Sequence, residues 1–586
     1  MRAVRYQYLD ARLRQAFDDA GLSRCQRALL QGVLRALDPD AHLGEHVAGL
    51  NSAFVAVQRA QTALASHASE DHPRWNLLRR VISTSVTVMD AAAPAYAHAG
   101  AKALAQARQT LLDVDAVIAA DGQKLDPAVT KAAAAKLDPE ALRTAVRHWL
   151  GPLWNGVELP LRARMIAELA VVTACHGRDG RHLRADLLRF LKKPHDLAQV
   201  LWPEPRRHVV ALVVRGARVL RHLDELLPGV RQEPLHRSRL PRDDFLKDVV
   251  TGSSVLIRLP VTAADAHTAA LLGRRALSEV LDQYAAGERL TELDIAPVWQ
   301  VSGPTGRVTR TEHQRTVASA YPLTPYWPAE LRSAMRVANL ARQVDAPMAS
   351  AGLAWSALEA TGLDPGKIAW LAKACALQML RQHLVSLHVV VGNHDRGLRP
   401  PLDAQVPTTG VKHHLKSVDA WLDVLVEHNR PAEQLKAAQD AVTKLAENEG
   451  GLVQDLVELW RARLADSAVL AHWLQEQEDT AAALLEWLYV TRNLAFHAGT
   501  FAAPGDVLTA HAGQALADLT LEFLGNWRTR ERQRGQAETP ALDVYRRLAQ
   551  RKDQLSARLR RAGSVRRLSV EDISGPDEKW WSRGND

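Results

Sequence analysis

The chain has 586 residues, 47% hydrophobic and 24% charged, which excludes wholesale disorder and collagen-like structure and argues against a membrane protein. At roughly 100 to 200 residues per domain, that length implies three to five domains. Its 74 basic and 66 acidic residues leave a formal charge of +8, and 59 of the bases are arginine, as in a GC-rich coding sequence, so basicity permits a polyanionic partner without demanding one.

The N-terminus, Met1-Arg2-Ala3-Val4-Arg5-Tyr6, lacks the apolar core of a signal peptide, and no run of about 18 apolar residues follows it. Cys25, Cys175 and Cys375 stand far apart, without a CxxC pair or zinc-ligand spacing. A reducing cytoplasm, no membrane, no metal and no cofactor are the expectations.

The fold class expected is mainly α, a multi-domain helical protein with a small α+β module in the middle. Residues 1–245 read as helix after helix, a region of unknown role, punctuated at Asp38-Pro39-Asp40, Asp126-Pro127, Gly151-Pro152 and Pro203-Glu204-Pro205. Within it, 205–242 carries nine arginines around the apolar run Val209 to Val214. That stretch reads as an amphipathic helix with a solvated arginine face in preference to a nucleic-acid groove.

The α+β module is placed at 246–320. Ser254 to Val261 is β-branched and apolar enough for a strand, Ala264 to Ala286 forms a helix, and Leu293 to Val301 is a second strand that Pro297 confines to a sheet edge. Pro322, Pro325 and Pro328 mark a linker.

Helices resume over 333–535. One contains Trp355-Ser356-Ala357-Leu358-Glu359 and stops at Gly362 with Pro365 beyond. The next shows a Leu377, Leu380, Leu384, Leu387 stripe and gives way to a loop with Gly392, Gly397, Pro400 and Pro401. Further helices are expected over 411–428, 431–447, 452–498 and 506–533. A basic tail, 536–586, is helical to Arg561 and ends on Trp580-Trp581; it either tracks a phosphate backbone or packs on the protein.

Three short strings lack the chemistry they suggest. Gly392-Asn393-His394-Asp395 is similar to a metallophosphoesterase element, and Asp265-Ala266-His267 supplies an upstream Asp-x-His, but the Gly-Asp-x-x-Asp between them is missing. Gly362 to Lys367 is one residue short of a phosphate loop and is followed by Ile368, without the magnesium-binding hydroxyl, so it reads as a helix C-cap and turn. His413-His414 point about 100° apart on a helix and chelate one ion poorly.

The informative segment is Arg492-Asn493-Leu494-Ala495-Phe496-His497, near the end of a long helix. At about 100° per residue, Asn493 and His497 lie within about 40° of one face, while Arg492 sits about 140° from His497 and reaches it only through its long side chain or a helix distortion. Such a set suits metal-free cleavage of an RNA phosphodiester. A histidine takes the 2′-hydroxyl proton or protonates the leaving 5′-oxygen, and an arginine fork stabilises the charge growing on the phosphorane oxygens. Two copies across a two-fold interface share the acid and base roles.

This segment resembles the Arg-Asn-x-x-x-His signature of HEPN domains, in particular the Apea-like group, and Trp355 to Glu359 is similar to the helix that opens those domains. The resemblance covers about 340 to 530. It implies a C-terminal helical bundle that dimerises into a metal-independent endoribonuclease, used in anti-phage defence or toxin-like roles, with RNA as substrate and a protein or phage-derived trigger as a possible partner. It also implies that Arg492 and His497 are catalytic, Asn493 supporting, and Glu359 a polar neighbour. The alternative it leaves is a non-cleaving RNA- or nucleotide-binding scaffold. Ala498-Gly499 replaces the x-Tyr that follows the histidine in some toxin members, so nucleotide transfer onto this site is not implied.

Overall fold

The structure, a computed structural model, describes residues 8, 10–37, 51–67, 75–121, 126–178, 180–236, 244–250, 252–287, 293–304, 306, 308–312, 329–344, 346–394, 440, 443–444, 451–493, 506–533 and 535–562. It is mainly helical, with one six-stranded antiparallel sheet in the middle of the chain. No described helix is long and apolar enough to cross a membrane. Two compact units emerge: one gathers residues 1–172, 317–342 and 347–586, the other 173–316 with 343–346. The expected boundary at 245 therefore falls inside the second unit, and the N-terminal helices join the C-terminal ones.

Local signals explain many helix ends. Asp126 accepts from the Ala128 N–H ahead of Pro127, Asp138 from the Ala141 N–H ahead of Pro139, and Ser23 with Gln26 forms a capping box on Arg24–Ala36. Pro347–Glu359 ends as expected, with Gly362 at φ +89° and Asp364 capping the turn through the Gly366 N–H. Ala541–Ala562 matches the helix expected to Arg561, and its Tyr545 and Lys552 face inward, so this part of the tail packs on the protein.

Two helical expectations change. The helix expected over 452–498 is two, Gly451–Ala465 and Ser467–Asn493, because Asp466 accepts from the Ala468 N–H and starts a new N-terminus. Gly392 lies not in a loop but in Ile368–His394. The features expected at 313–328, 395–439 and 563–586, including His413, His414, Trp580 and Trp581, lie outside the described residues.

In the first unit the 467–493 helix is enclosed along most of its length. From Thr480 to Arg492 every residue is buried or half-buried. It packs against the 347–359, 368–394, 506–533 and 541–562 helices through residues such as Leu474, Leu484, Leu485 and Leu488. N-terminal helices cover another side: Asn51 donates to Thr480 Oγ1, Ala56 and Val88 meet Ala483, and the Arg59 guanidinium lies 4.6 Å from the Trp487 ring centroid. Farther along the core, Gly451 starts its helix at φ +66° and a Cβ there would stand 2.8 Å from Arg27 Cβ. Gln31 accepts from the Leu452 N–H at that start.

Close approach at Gly513 fixes how the helices behind the motif cross. A Cβ built there would lie 2.6 Å from Leu488 Cδ2 and 3.3 Å from Ala354 Cβ, atoms of two other helices. Gly513→Ala recovers up to about 1 kcal/mol of helix propensity but overpacks a core with no free volume at that contact, which typically costs about 1–3 kcal/mol. Net destabilisation is expected, read as a lower urea midpoint; an unchanged or higher midpoint would show that Leu488 yields freely.

The second unit is built on the strand order β2-β3-β1-β5-β6, with β4 also pairing β1, where β1 is Arg206–Arg215, β2 Arg231–Leu235, β3 Ser254–Ala263, β4 Asp294–Ile295, β5 Val298–Ser302 and β6 Val308–Glu312. The arginine-rich stretch read as an amphipathic helix thus supplies the central strand and an edge strand. Its alternating burial, with Val210, Leu212 and Val214 inside, is the two-residue period of a sheet. The strand expected over 293–301 breaks at Ala296-Pro297. Pro297 lies between β4 and β5, and β5 is interior, paired to both β1 and β6. One face is roofed by Ala266–Gly287, with Val210, Leu212, Ile257, Leu277 and Trp299 in one core.

Candidate functional site

Three of the four expected site residues lie within the described structure, two on the motif helix and one on its neighbour. Arg492 and Asn493 end the 467–493 helix, and Glu359 ends the 347–359 helix beside it. His497 lies outside the described residues. Two helix ends therefore place the guanidinium and a carboxylate at one locus, with Arg492 Nε 3.8 Å from Glu359 Oε2 and each side chain about one-third exposed (31% and 34%). That separation is an ion pair, longer than a hydrogen bond.

Asn493 is committed differently. Its Nδ2 donates to the Tyr489 carbonyl at 2.8 Å, one turn back on its own helix, so the amide finishes the helix end and leaves its Oδ1 outside this bond. It is a supporting group in this arrangement.

Aromatic packing sets the two helix ends against each other. Trp355 is fully buried, and its ring lies 5.4 Å from that of Tyr489 at an interplanar angle of 60°. Because Glu359 and Arg492 follow these rings by four and three residues, the ring contact holds the register that lets the ion pair form.

Sequence reasoning missed two further members, Arg80 and Glu486. The Arg80 guanidinium lies 5.3 Å from the Tyr489 ring centroid, and its Nη1 donates to both Glu486 oxygens at 3.0 and 2.7 Å. Arg80 sits on Trp75–Tyr96, so the N-terminal region grips the motif helix at Tyr489 and Glu486, one and two turns before Asn493. Nothing local in the sequence could pair residues 406 positions apart.

The arrangement offers a cation near a helix end, partly open to solvent, on a helix that packing holds rigid. It can hold and polarise a phosphate oxygen; proton transfer needs a further group. Among the described residues no cluster of three or more His, Cys, Asp or Glu side chains is arranged to hold a metal ion. Asn393 and His394 belong to the 368–394 helix, while Asp395 lies outside the described residues. Cys375 is no nucleophile at neutral pH, since complete burial pushes its thiol up to about 12.

Comparison with known proteins adds no identity: no family model, no curated protein and no solved structure matches this chain.

Proposed function

We propose that this chain is a metal-independent endoribonuclease of the HEPN kind, with Arg492 and His497 as its catalytic pair and RNA as its substrate. The observation that carries the reading is the Arg492–Glu359 approach. The signature Arg-Asn-x-x-x-His and the Trp355 to Glu359 segment were matched separately in the sequence, 133 positions apart at Glu359 and Arg492, and their side chains meet at 3.8 Å.

Arg492 is the phosphate-holding group, stabilising charge on the phosphorane oxygens in the transition state. His497 moves the proton, as base toward the 2′-hydroxyl or as acid toward the 5′-oxygen. One histidine per chain serves one of these roles at a time, so the reading includes a homodimer in which each copy supplies a histidine. Because the body of the motif helix is already enclosed by its own chain, the second copy approaches its C-terminal end. Anti-phage defence or a toxin-like role, under a protein or phage-derived trigger in the cytoplasm, is the setting this reading takes.

The test is incubation of the purified full chain with RNA in excess EDTA, beside Arg492→Ala and His497→Ala. Cleavage that each substitution slows at least about a hundredfold, leaving 2′,3′-cyclic phosphate ends, is the expected result. Cleavage that stays within about tenfold of wild type in either variant, or that requires added metal, overturns the assignment. RNA binding with no cleavage by the wild-type chain favours the non-cleaving scaffold instead.

A further inference from the structure

The six-stranded sheet is roofed unequally. One face is covered by the 266–287 helix. The other is covered at one end only, where Asp244–Val249 lays Leu246 and Val249 over Val213, Leu235 and Leu256. Beyond that helix, described residues of the same face are exposed, among them Arg207, Val209, Arg258 and Thr262.

The strand registers lay out the open end. Arg231 on β2 stands opposite Arg258 on β3, which faces Ala211 on β1, then Gln300 on β5. A second row runs from Pro260 through Val209 to Ser302 and Val308. Arg207 and Thr262 form the next pair. Side chains two apart on a strand share a face, so these residues make one surface. Its centre holds Val209, 39% exposed, beside half-buried Pro260, and Val308 on the edge strand β6 is 54% exposed. Exposed Arg207, Arg231 and Arg258 stand around that centre.

Two like charges placed directly opposite on neighbouring strands destabilise a sheet. Arg231 and Arg258 are such a pair, and the acid nearby, Glu233, is loosely held, 3.9 Å from Arg258 with both side chains about half exposed. An arrangement that costs stability without a strong internal counter-charge suits an external anion. A partner strand would add at the β2 or β6 edge and not on this face, and Pro234 removes one donor from the β2 edge. A flat surface with three exposed arginines beside Val209 and Pro260 instead fits a single-stranded nucleic acid held mainly through its phosphates, with bases resting on the two apolar side chains.

We propose that the open end of this sheet is a single-stranded RNA-binding surface, with Arg207, Arg231 and Arg258 as its phosphate contacts. The proposal stands apart from the cleavage reading, because it needs neither Arg492 nor His497.

The experiment measures fluorescence anisotropy of a labelled 2′-O-methyl oligouridine, which lacks the free 2′-hydroxyl cleavage requires, with the full-length chain across a salt series. The variant is Arg207→Ala/Arg231→Ala/Arg258→Ala. The control is Arg12→Ala/Arg79→Ala/Arg546→Ala, which removes the same charge elsewhere. At about 0.7 in the log–log salt slope per phosphate contact on a single strand, losing three contacts lowers the slope by about 2 and weakens binding at least about tenfold at low salt. The control should stay within about twofold of wild type. Thermal melting should be unchanged or raised for the sheet variant, since a like-charge pair is gone. The proposal is overturned by a wild-type chain that does not bind, by a sheet variant that binds like wild type, or by a control that weakens equally. An oligoglutamate that competes as well as the RNA does would reassign the surface to acidic peptides, and also overturns it.

Discussion

Asp455→Ala is expected to destabilise the chain by about 3–5 kcal/mol, the cost of leaving a buried charge without its partner. Asp455 joins three helices. Arg162 on Leu159–Cys175 grips it with both a 2.8 Å bond from Nε and a 2.6 Å bond from Nη2, and the two side chains are each 6% exposed. Arg24 on Arg24–Ala36 donates to the same carboxylate at 2.9 Å and to Glu458 one turn on. Burial pushes the Asp455 carboxyl above its ordinary value, and the two guanidinium groups oppose that shift. Alanine removes the shared acceptor and leaves Arg162 with a bond from Nη1 to Cys25 Sγ at 3.0 Å and one to the Val157 carbonyl at 3.3 Å. Neither of those neutralises its charge.

Such a loss is a large share of the roughly 5–15 kcal/mol that holds a typical domain. It is read as the shift in urea midpoint, with tryptophan fluorescence and far-ultraviolet circular dichroism followed together. Residues 1–172 and 347–586 belong to one compact unit and are expected to unfold in one step, beside any separate step of the 173–316 unit. A loss below about 1 kcal/mol would put this network among solvated surface pairs. A midpoint shift that appears in only part of the first unit's transition would show that the N-terminal helices fold apart from the bundle.

The sequence carried the local half of this architecture. Aspartate and proline at 126–127, and glycine at 362, announce helix ends through interactions within four residues, and those two ends stand where expected. Arginine density misled the reading of 205–242. Val209 to Val214 is as compatible with a buried strand as with a helix, and the decision lies with β3, whose Val255 to Pro260 pairs with it from more than 40 residues away. The union of N-terminal and C-terminal helices was equally invisible, since Arg24 reaches Asp455 across 431 positions and Arg80 reaches Glu486 across 406. Of the candidate site, Arg492, Asn493 and Glu359 were readable because two short motifs marked them. Tyr489 lay within the motif helix and still gave no sign, because its role depends on Trp355 and Arg80 beside it.

Arg492→Ala is expected to lower kcat for RNA cleavage about 10² to 10³-fold, the usual loss when one preorganised donor to a developing oxyanion is removed. Arg492→Lys should recover little of this, because a single ammonium cannot reproduce the planar fork that meets two phosphate oxygens. Glu359→Gln should behave differently. At 3.8 Å, with both side chains one-third exposed, the Glu359–Arg492 pair belongs to the class worth at most about 1 kcal/mol, so its loss corresponds to no more than about fivefold in kcat. The direction in KM is a decrease, since the carboxylate competes with an incoming phosphate for the same guanidinium. The assay is single-turnover cleavage in EDTA across a substrate range, which separates kcat from KM. Equal losses of 10² or more in Glu359→Gln and Arg492→Ala would make Glu359 a proton-transferring group and transfer to it the acid–base role now given to the histidine of the second copy.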